Sequence, residues 1–592
     1  MDNSHLNDIL GTTEILWNLA DLYINDKDPK IDEDLAFCNT EARALRADFS
    51  GTLESISATD FLSLVQRMEW LDTVFTKLGT YSFLHFTTQI DNAEAGALDQ
   101  RVHEQYARSS AETVFFELEW SCLSDKKAQQ LLESAELSHY RHYLDTLRKN
   151  RPHMLSEKEE QLLAEKEVTG RNSWTTLFEK VFAHLRFGET GRTEEEVLTD
   201  LYSHDRTTRA NAAAEMTSGL TSQLHILTHI FNTLAAEKMV TDRLRKYDGW
   251  LSSMNLSNEL QDSTVDALVE AVTSRYDIVE KYYTIKKDIL GLDDLYDYDR
   301  YAPLPHLPTE TTNWDDCKKI VLDSFHKFSP KMSVIASDFF EKNWIHAPIY
   351  PTKRGGAFAH PCVPEVHPYV LVNYTGNIRD ISTVAHELGH GIHQVLASEQ
   401  GQFNSDTPLP LAETASVFAE LLVFNAQLEL LQSEAEKEAF ICQKLESIFA
   451  TVFRQTAMNR FEDAMHNGRR EHGELSDEQL GQYWLQSQQA MFGDSVELTD
   501  DYRIWWSYIP HFLSTPGYVY SYAFGELLVL ALYKIYQTEG ESFVEKYLEL
   551  LASGGSKSPY ELLKPFGFDL NDPAFWHKGL DVIDEMVAKL KR

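Results

Sequence analysis

Residues 386 to 390 read His386-Glu387-Leu388-Gly389-His390, two imidazoles and a carboxylate at a spacing that suits metal-assisted hydrolysis. Residues four apart lie above one another on one face of an α-helix, so both rings can reach a single ion. Glu387, one step round the helix, can stand beside a water held by that ion. Zinc brings the pKa of such a water towards neutrality, and the carboxylate can take its proton as it attacks a carbonyl. Five residues are too short a pattern to decide the matter, so the elements around them must.

Asp380 reads as the N-cap of a helix that runs without proline from Ile381 to Ser398, with Gly401 as its stop. At 100° per residue, Ile381, Val384, Leu388, Ile392 and Val395 fall within an arc of roughly 80°. His386, His390 and His393 cluster near the opposite side. One face is made for a core, and the other gathers three histidines. Imidazoles buried together need polar partners, and a metal supplies one.

An open zinc site needs a third protein ligand. A metzincin extension is absent, because it requires Gly at 393 and His at 396 where this chain has His393 and Leu396. Pro408 and Pro410 punctuate the start of a following helix that carries Glu413 and Glu420, two turns apart and so on one face. Glu413 is the expected third ligand. Glu420 is expected to orient a ligand histidine, with His393 also standing behind the ligands. The competing reading is a pair of glutamates on a solvated face.

The run from His386 to His393, followed by Glu413-Thr414-Ala415-Ser416 and Glu420, resembles the zinc metallopeptidases of the oligoendopeptidase F and thimet oligopeptidase family. The resemblance implies one zinc ion held by His386, His390 and Glu413, with Glu387 as general base. It extends to Pro368–Tyr374 upstream, to His511-Phe512-Leu513 and Tyr518–Tyr522 downstream, and to Ser553-Gly554-Gly555-Ser556 and Leu563–Gly567 near the end. It implies a mostly α, two-lobed helical fold with a small β-sheet beside the zinc helix. A deep substrate channel that admits short peptides also follows from it.

The downstream segment has a chemical logic of its own. Hydroxide attack on an amide builds negative charge on the carbonyl oxygen, and a donor aimed there stabilises it. His511, Tyr518 and Tyr522 are the candidates, the two tyrosines sharing a face if the backbone is helical. Gly517 before them permits a sharp turn. Tyr520 is read as a substrate contact. Against this stands an aromatic core, since Trp505, Trp506, Tyr508 and Phe512 are close in sequence. Upstream, Lys353–Phe358 and Tyr369–Tyr374 read as strands, and an edge near Gly355 and Gly356 could hold an extended peptide by main-chain hydrogen bonds. His360 and His367, each next to a proline, read as packing or solvent-facing residues.

The 592 residues carry a net charge of −38 and 43% hydrophobic residues, enough for a large core. Long amphipathic stretches such as Phe61–Leu78, Ser156–Val168 and Glu436–Ala457 predict helices. The expected division is a helical region over residues 1–200 and a catalytic region over 201–592, with no composition-marked linker between them. The acidic balance speaks against nucleic acid and against an anionic membrane surface. No leader is legible at Met1–His5, and no apolar stretch is long enough to span a bilayer. Five scattered cysteines fit a reducing cytoplasm, and Cys362 as a nucleophile would need an activating base. The chain is thus expected to be a cytoplasmic zinc endopeptidase acting on short peptides. The rivals are a non-catalytic peptide-binding protein with a structural metal and a metal-dependent exopeptidase.

Overall fold

A computed structural model describes residues 3–307 and 310–590. Met1 and Asp2, where the segment inspected for a leader begins, lie outside the described residues. The protein is mostly α, as the helical periodicities demand, with one three-stranded sheet. The chain forms two compact units, each assembled from three stretches. The first comprises Met1–Arg151, Pro308–Leu431 and Ile535–Phe568; the second comprises Pro152–Leu307, Gln432–Lys534 and Asp569–Arg592. Residues 1–200 therefore contribute to both.

In the first unit the helix expected over Phe61–Leu78 runs from Ala58 to Thr87, and Ser57 caps it by accepting from Asp60 N–H. Its apolar stripe packs with the helix Pro29–Phe49 around Phe61, Leu64, Leu78 and Trp120. The sheet is set against this core. Strand β1 (Ile345–His346) pairs parallel with β3 (Tyr369–Leu371), and β3 pairs antiparallel with β2 (Phe358–His360), so β2 is an edge. Both strands are shorter than their sequences suggested. Residues 353–357 form a turn in place of a strand, because Lys353 is drawn inwards. Its ammonium donates to the carbonyls of His346, Pro348 and Val372 at 3.1, 2.7 and 2.7 Å. Gly356 then turns the chain at φ +81°.

In the second unit, the stretch read as one helix over 436–457 is two, Glu434–Thr451 and Phe453–His472, which break at Val452. The expected 156–168 helix spans Glu157–Glu167 with Ser156 at its cap. The core gathers Leu227, Phe231, Phe461, Trp484, Trp506 and Phe512. Trp505, Trp506 and Phe512, close to position 511, are thus packing residues, whereas Tyr508 is partly exposed. Among the described residues, no helix is long and apolar enough to cross a membrane.

Candidate metal centre and catalytic groups

The histidine helix spans Ile378–Ala397. It begins one turn earlier than the sequence suggested. Asn377, not Asp380, is the cap, accepting from the N–H groups of Arg379 and Asp380 at 2.9 and 3.1 Å. Asp380 instead ties the preceding turn by accepting from Thr375 N–H and Oγ1 at 2.7 and 2.6 Å. Ile381, Val384, Leu388 and Ile392 are buried, each contributing about 1.5–3 kcal/mol of transfer free energy, while Val395 is half-buried.

The glutamate helix spans Leu409–Leu430 with Pro410 in its first turn. It lies unusually close to the histidine helix at one point. A Cβ on Gly389 would stand 2.6 Å from both the Ala415 carbonyl oxygen and Ser416 Cα. Only glycine permits that approach, and the approach brings Glu413 to the two rings. Glu413 Oε2 lies 3.4 Å from His386 Nε2 and 3.6 Å from His390 Nε2. Four ligands at zinc's usual 2.0–2.1 Å stand about 3.3 Å apart in a tetrahedron. The three side chains therefore fit a zinc ion in donor type and in spacing, and among the described residues they are the group of three able to hold a metal. Gly391 allows a second close contact, with the Phe339 ring 2.5 Å from where a Cβ would be.

Further side chains stand behind these three. Glu420 Oε2 lies 3.4 Å from His386 Nδ1, on the far side of that ring from Glu413. His390 and His393 both hydrogen-bond the Ala412 backbone. His393, buried, also meets Thr407 Oγ1 at 3.2 Å and takes no place among the three. Ser416, to which sequence reasoning gave no role, donates from Oγ to Glu413 Oε2 at 2.7 Å. Its place one turn after Glu413 was the signal available. Glu387 is buried and accepts a hydrogen bond from the Ala359 N–H of β2, a backbone group that no side-chain pattern announces.

The electrostatics separate these groups. Burial pushes Glu387 up to about 7 against the pull of His386. Burial also opposes the charge on His386, but the hydrogen bond to Glu420 and the charges of Glu413 and Glu387 outweigh it and hold that imidazole at about 9. His390 is pushed down to about 4 by burial, with Glu413 opposing and His386 adding to the fall. His393 falls to about 4, chiefly by burial. His386 is thus the ring whose proton its acidic neighbours favour, and a divalent cation bound there would displace it.

In the second unit, His511 opens the short helix His511–Ser514, and Tyr522 lies in the helix Tyr520–Glu539. Tyr518 precedes that helix rather than belonging to it, yet its ring stands 5.0 Å from that of Tyr522, and His511 lies 6.3 Å from Tyr522. All three are partly exposed. Gly517 turns at φ +82°, with its N–H held by buried Glu462 at 3.0 Å. Tyr520 departs from the expectation. It is fully buried, and its hydroxyl accepts from Asn258 at 2.9 Å, so a side chain read as a substrate contact belongs to the core. Gly355 and Gly356 are exposed with open space above them, but they lie in the turn before the edge strand and not on it. His360 packs on Phe83 at 5.0 Å, and His367 stacks on Trp344 at 3.9 Å. Burial raises the Cys362 thiol to about 12, which denies it a nucleophile's role.

The model of peptidase family M3 matches residues 200–582, and an oligopeptidase F model matches residues 119–187. The chain belongs to peptidase family M3. It is a metalloendopeptidase by that membership. Among its relatives, Oligopeptidase PepF of Bacillus subtilis is 27% identical over 551 residues, covering 89% of this chain and 82% of that one. An oligoendopeptidase F homolog of Lactococcus lactis is 25% identical over 98% of this chain and 97% of its own. In three dimensions this M3 peptidase resembles a Chlamydophila abortus protein with a TM-score of 0.88 and 25% identity, covering 97% and 98% of the two chains. Oligoendopeptidase F of Enterococcus faecium shares the fold at a TM-score of 0.71 and 23% identity, over 95% and 98%.

Proposed function

We propose that this M3 peptidase is a zinc endopeptidase that hydrolyses internal bonds of short oligopeptides. The observation that carries the reading is the meeting of His386, His390 and Glu413 at tetrahedral-edge distances with the buried Glu387 on the adjoining helix position. When bound, zinc supplies Lewis acidity for the scissile carbonyl and for the attacking water. Glu387 takes that water's proton and passes it to the leaving amine. The Ala359 N–H and the walls that bury Glu387 keep its carboxyl near the value at which it can do both. Glu420 fixes the His386 ring so that Nε2 faces the ion, and Ser416 does the same for the Glu413 oxygen. His511, Tyr518 and Tyr522 serve as donors to the developing oxyanion or to the peptide. Gly355 and Gly356 leave room for a peptide backbone beside the edge strand.

A structural metal would call for a fourth protein ligand, and the described residues offer three. A net charge of −38 disfavours nucleic acid as a partner. The five unpaired cysteines accord with a cytoplasmic setting.

The test is a peptide blocked at both ends, incubated with and without a chelator and followed by mass. Internal cleavage that the chelator stops is expected. Glu387→Gln should retain parental zinc while turnover falls about 10²–10⁴-fold. Cleavage by that variant at near the parental rate would remove Glu387 from the mechanism.

A further inference from the structure

The second unit contains two arginines that no acid neutralises. Arg300 is 4% exposed and sits among aromatic rings. Its Nη1 donates to the Tyr502 hydroxyl at 2.7 Å and its Nη2 to the Tyr301 hydroxyl at 2.9 Å, while its buried Nε has no partner. Arg454, in the first turn of the helix Phe453–His472, donates from Nη2 to the Tyr508 hydroxyl at 3.3 Å, and its Nε is likewise buried without an acceptor. Neither guanidinium makes an ion pair among the described residues. Asp297 is the acid whose field reaches Arg300, and its Oδ2 accepts from Thr499 N–H and Oγ1 at 2.7 Å each. Glu446 faces Lys286 and Tyr282, each at 2.6 Å.

The hydroxyls of Tyr301 and Tyr508 accept from the arginines, and among the described residues neither hydroxyl proton finds an acceptor. Tyr502 donates in turn to Gln488 Oε1 at 3.4 Å, whereas the Nε–H groups of both arginines are buried donors without an acceptor. A buried cation without a counter-charge is costly, so the cluster lacks an anion. Arg454, Tyr301 and Tyr508 are partly exposed, so the donors have an open side, with Arg300 as the floor. The field of the pair is felt nearby. Burial acts to raise the Tyr301 hydroxyl, yet Arg300 and Arg454 draw it below the ordinary tyrosine range. His511 is lowered by burial and then by Arg454.

We propose that Arg454 and Arg300, with the hydroxyls of Tyr301 and Tyr508, bind a carboxylate, and that it is the C-terminal carboxylate of the peptide substrate. A guanidinium's planar fork matches a carboxylate, and hydroxyl donors complete its shell. A net charge of −38 disfavours the anionic C-terminus of a peptide, and two arginines without an ion-pair partner offer it a local cationic site. Tyr508, which accepts from Arg454 at 3.3 Å, stands three residues before His511, so a terminus held there lies in the segment that leads to a group read above as meeting the peptide. The inference rests on that reading of His511, Tyr518 and Tyr522.

The experiment uses the zinc-loaded full chain and two peptides that differ only in a C-terminal carboxylate or carboxamide. The parent protein should favour the acid by about tenfold in kcat/KM, mostly through KM, since one charge-assisted interaction is at stake. That ratio should fall towards one in Arg454→Gln and in Tyr508→Phe, the second of which keeps the ring and so guards against a folding artefact. Equal handling of acid and amide by the parent overturns the proposal, as does a preference that survives in both variants. A second arm needs no turnover: the thermal midpoint of the zinc-free protein is followed against sodium acetate and sodium chloride. Stabilisation by acetate beyond chloride, lost in Arg454→Gln, supports a carboxylate site, and equal effects of the two salts overturn it. Acetate stabilisation with no acid preference assigns the site to free small carboxylates and overturns the substrate role. If neither peptide is cut, the peptidase reading fails, and the acetate arm alone decides the carboxylate site.

Discussion

Glu413 performs two tasks with one oxygen. Oε2 faces both imidazole Nε2 atoms, and the same atom accepts the Ser416 hydroxyl at 2.7 Å. Glu413→Ala should therefore abolish tight zinc binding, and unchanged zinc content after dialysis would strike it from the ligand set. Glu420 never reaches that position but holds the opposite nitrogen of His386. Glu420→Ala should weaken zinc about 10–100-fold in a competition titration with a metal indicator, and a parental affinity would show that His386 needs no such support. At this scale the sequence was informative where chemistry demands a side chain at fixed helical spacing, as for His386, His390, Glu413 and Glu420. It was silent on Ala359, whose backbone N–H meets Glu387, because any residue type supplies that donor. It misplaced Tyr520, since the start of the helix at that residue turns its side chain into the core.

Two glycines separate the helix that carries the motif from its neighbours, and they do so for different reasons. Gly389 sets the distance between the histidine and glutamate helices, whereas Gly391 accommodates the Phe339 ring. Gly389→Ala must move backbone, so it should lower stability by about 1–3 kcal/mol and weaken zinc binding together. Gly391→Ala presses on a side chain and should lower stability while leaving zinc affinity nearer the parent's. Thermal melts and zinc titrations on the two variants read the contrast, and equal zinc losses would mean that Gly389 has no special part in bringing Glu413 into place. Helices were legible because their apolar residues recur at a fixed period. The strands were less so. Lys353 and the two glycines after it look extended in sequence, but three carbonyls that only the fold assembles pull the lysine inwards. The break at Val452 left no such mark, since apolar residues continue across it.

For the molecule as a whole, zinc should act as a stabiliser of the first unit, where all three candidate ligands lie. A ligand that binds only the folded chain adds about 4 kcal/mol at a thousandfold excess over its Kd. Chelation should lower the thermal midpoint, zinc should restore it, and Glu413→Ala should melt at one temperature whether or not chelator is present. A midpoint in the parent protein that chelation does not move would place the ion outside the folded structure's energetics. The interleaving of the two units was not legible in composition, because the chain passes from one to the other without a marked linker, once within the helix Tyr520–Glu539.

Those crossings bear on how the protein is made. The first unit is not complete until its third stretch, Ile535–Phe568, has been added. That stretch supplies Tyr547, whose hydroxyl braces the Thr414 carbonyl at 2.9 Å and whose ring lies 4.5 Å from that of Phe418 on the glutamate helix. A chain still on the ribosome, with Tyr547 not yet emerged, has the histidines and the glutamate in hand but not the buttress behind them. The last stretch of the first unit to be synthesised is thus the one that backs the glutamate helix.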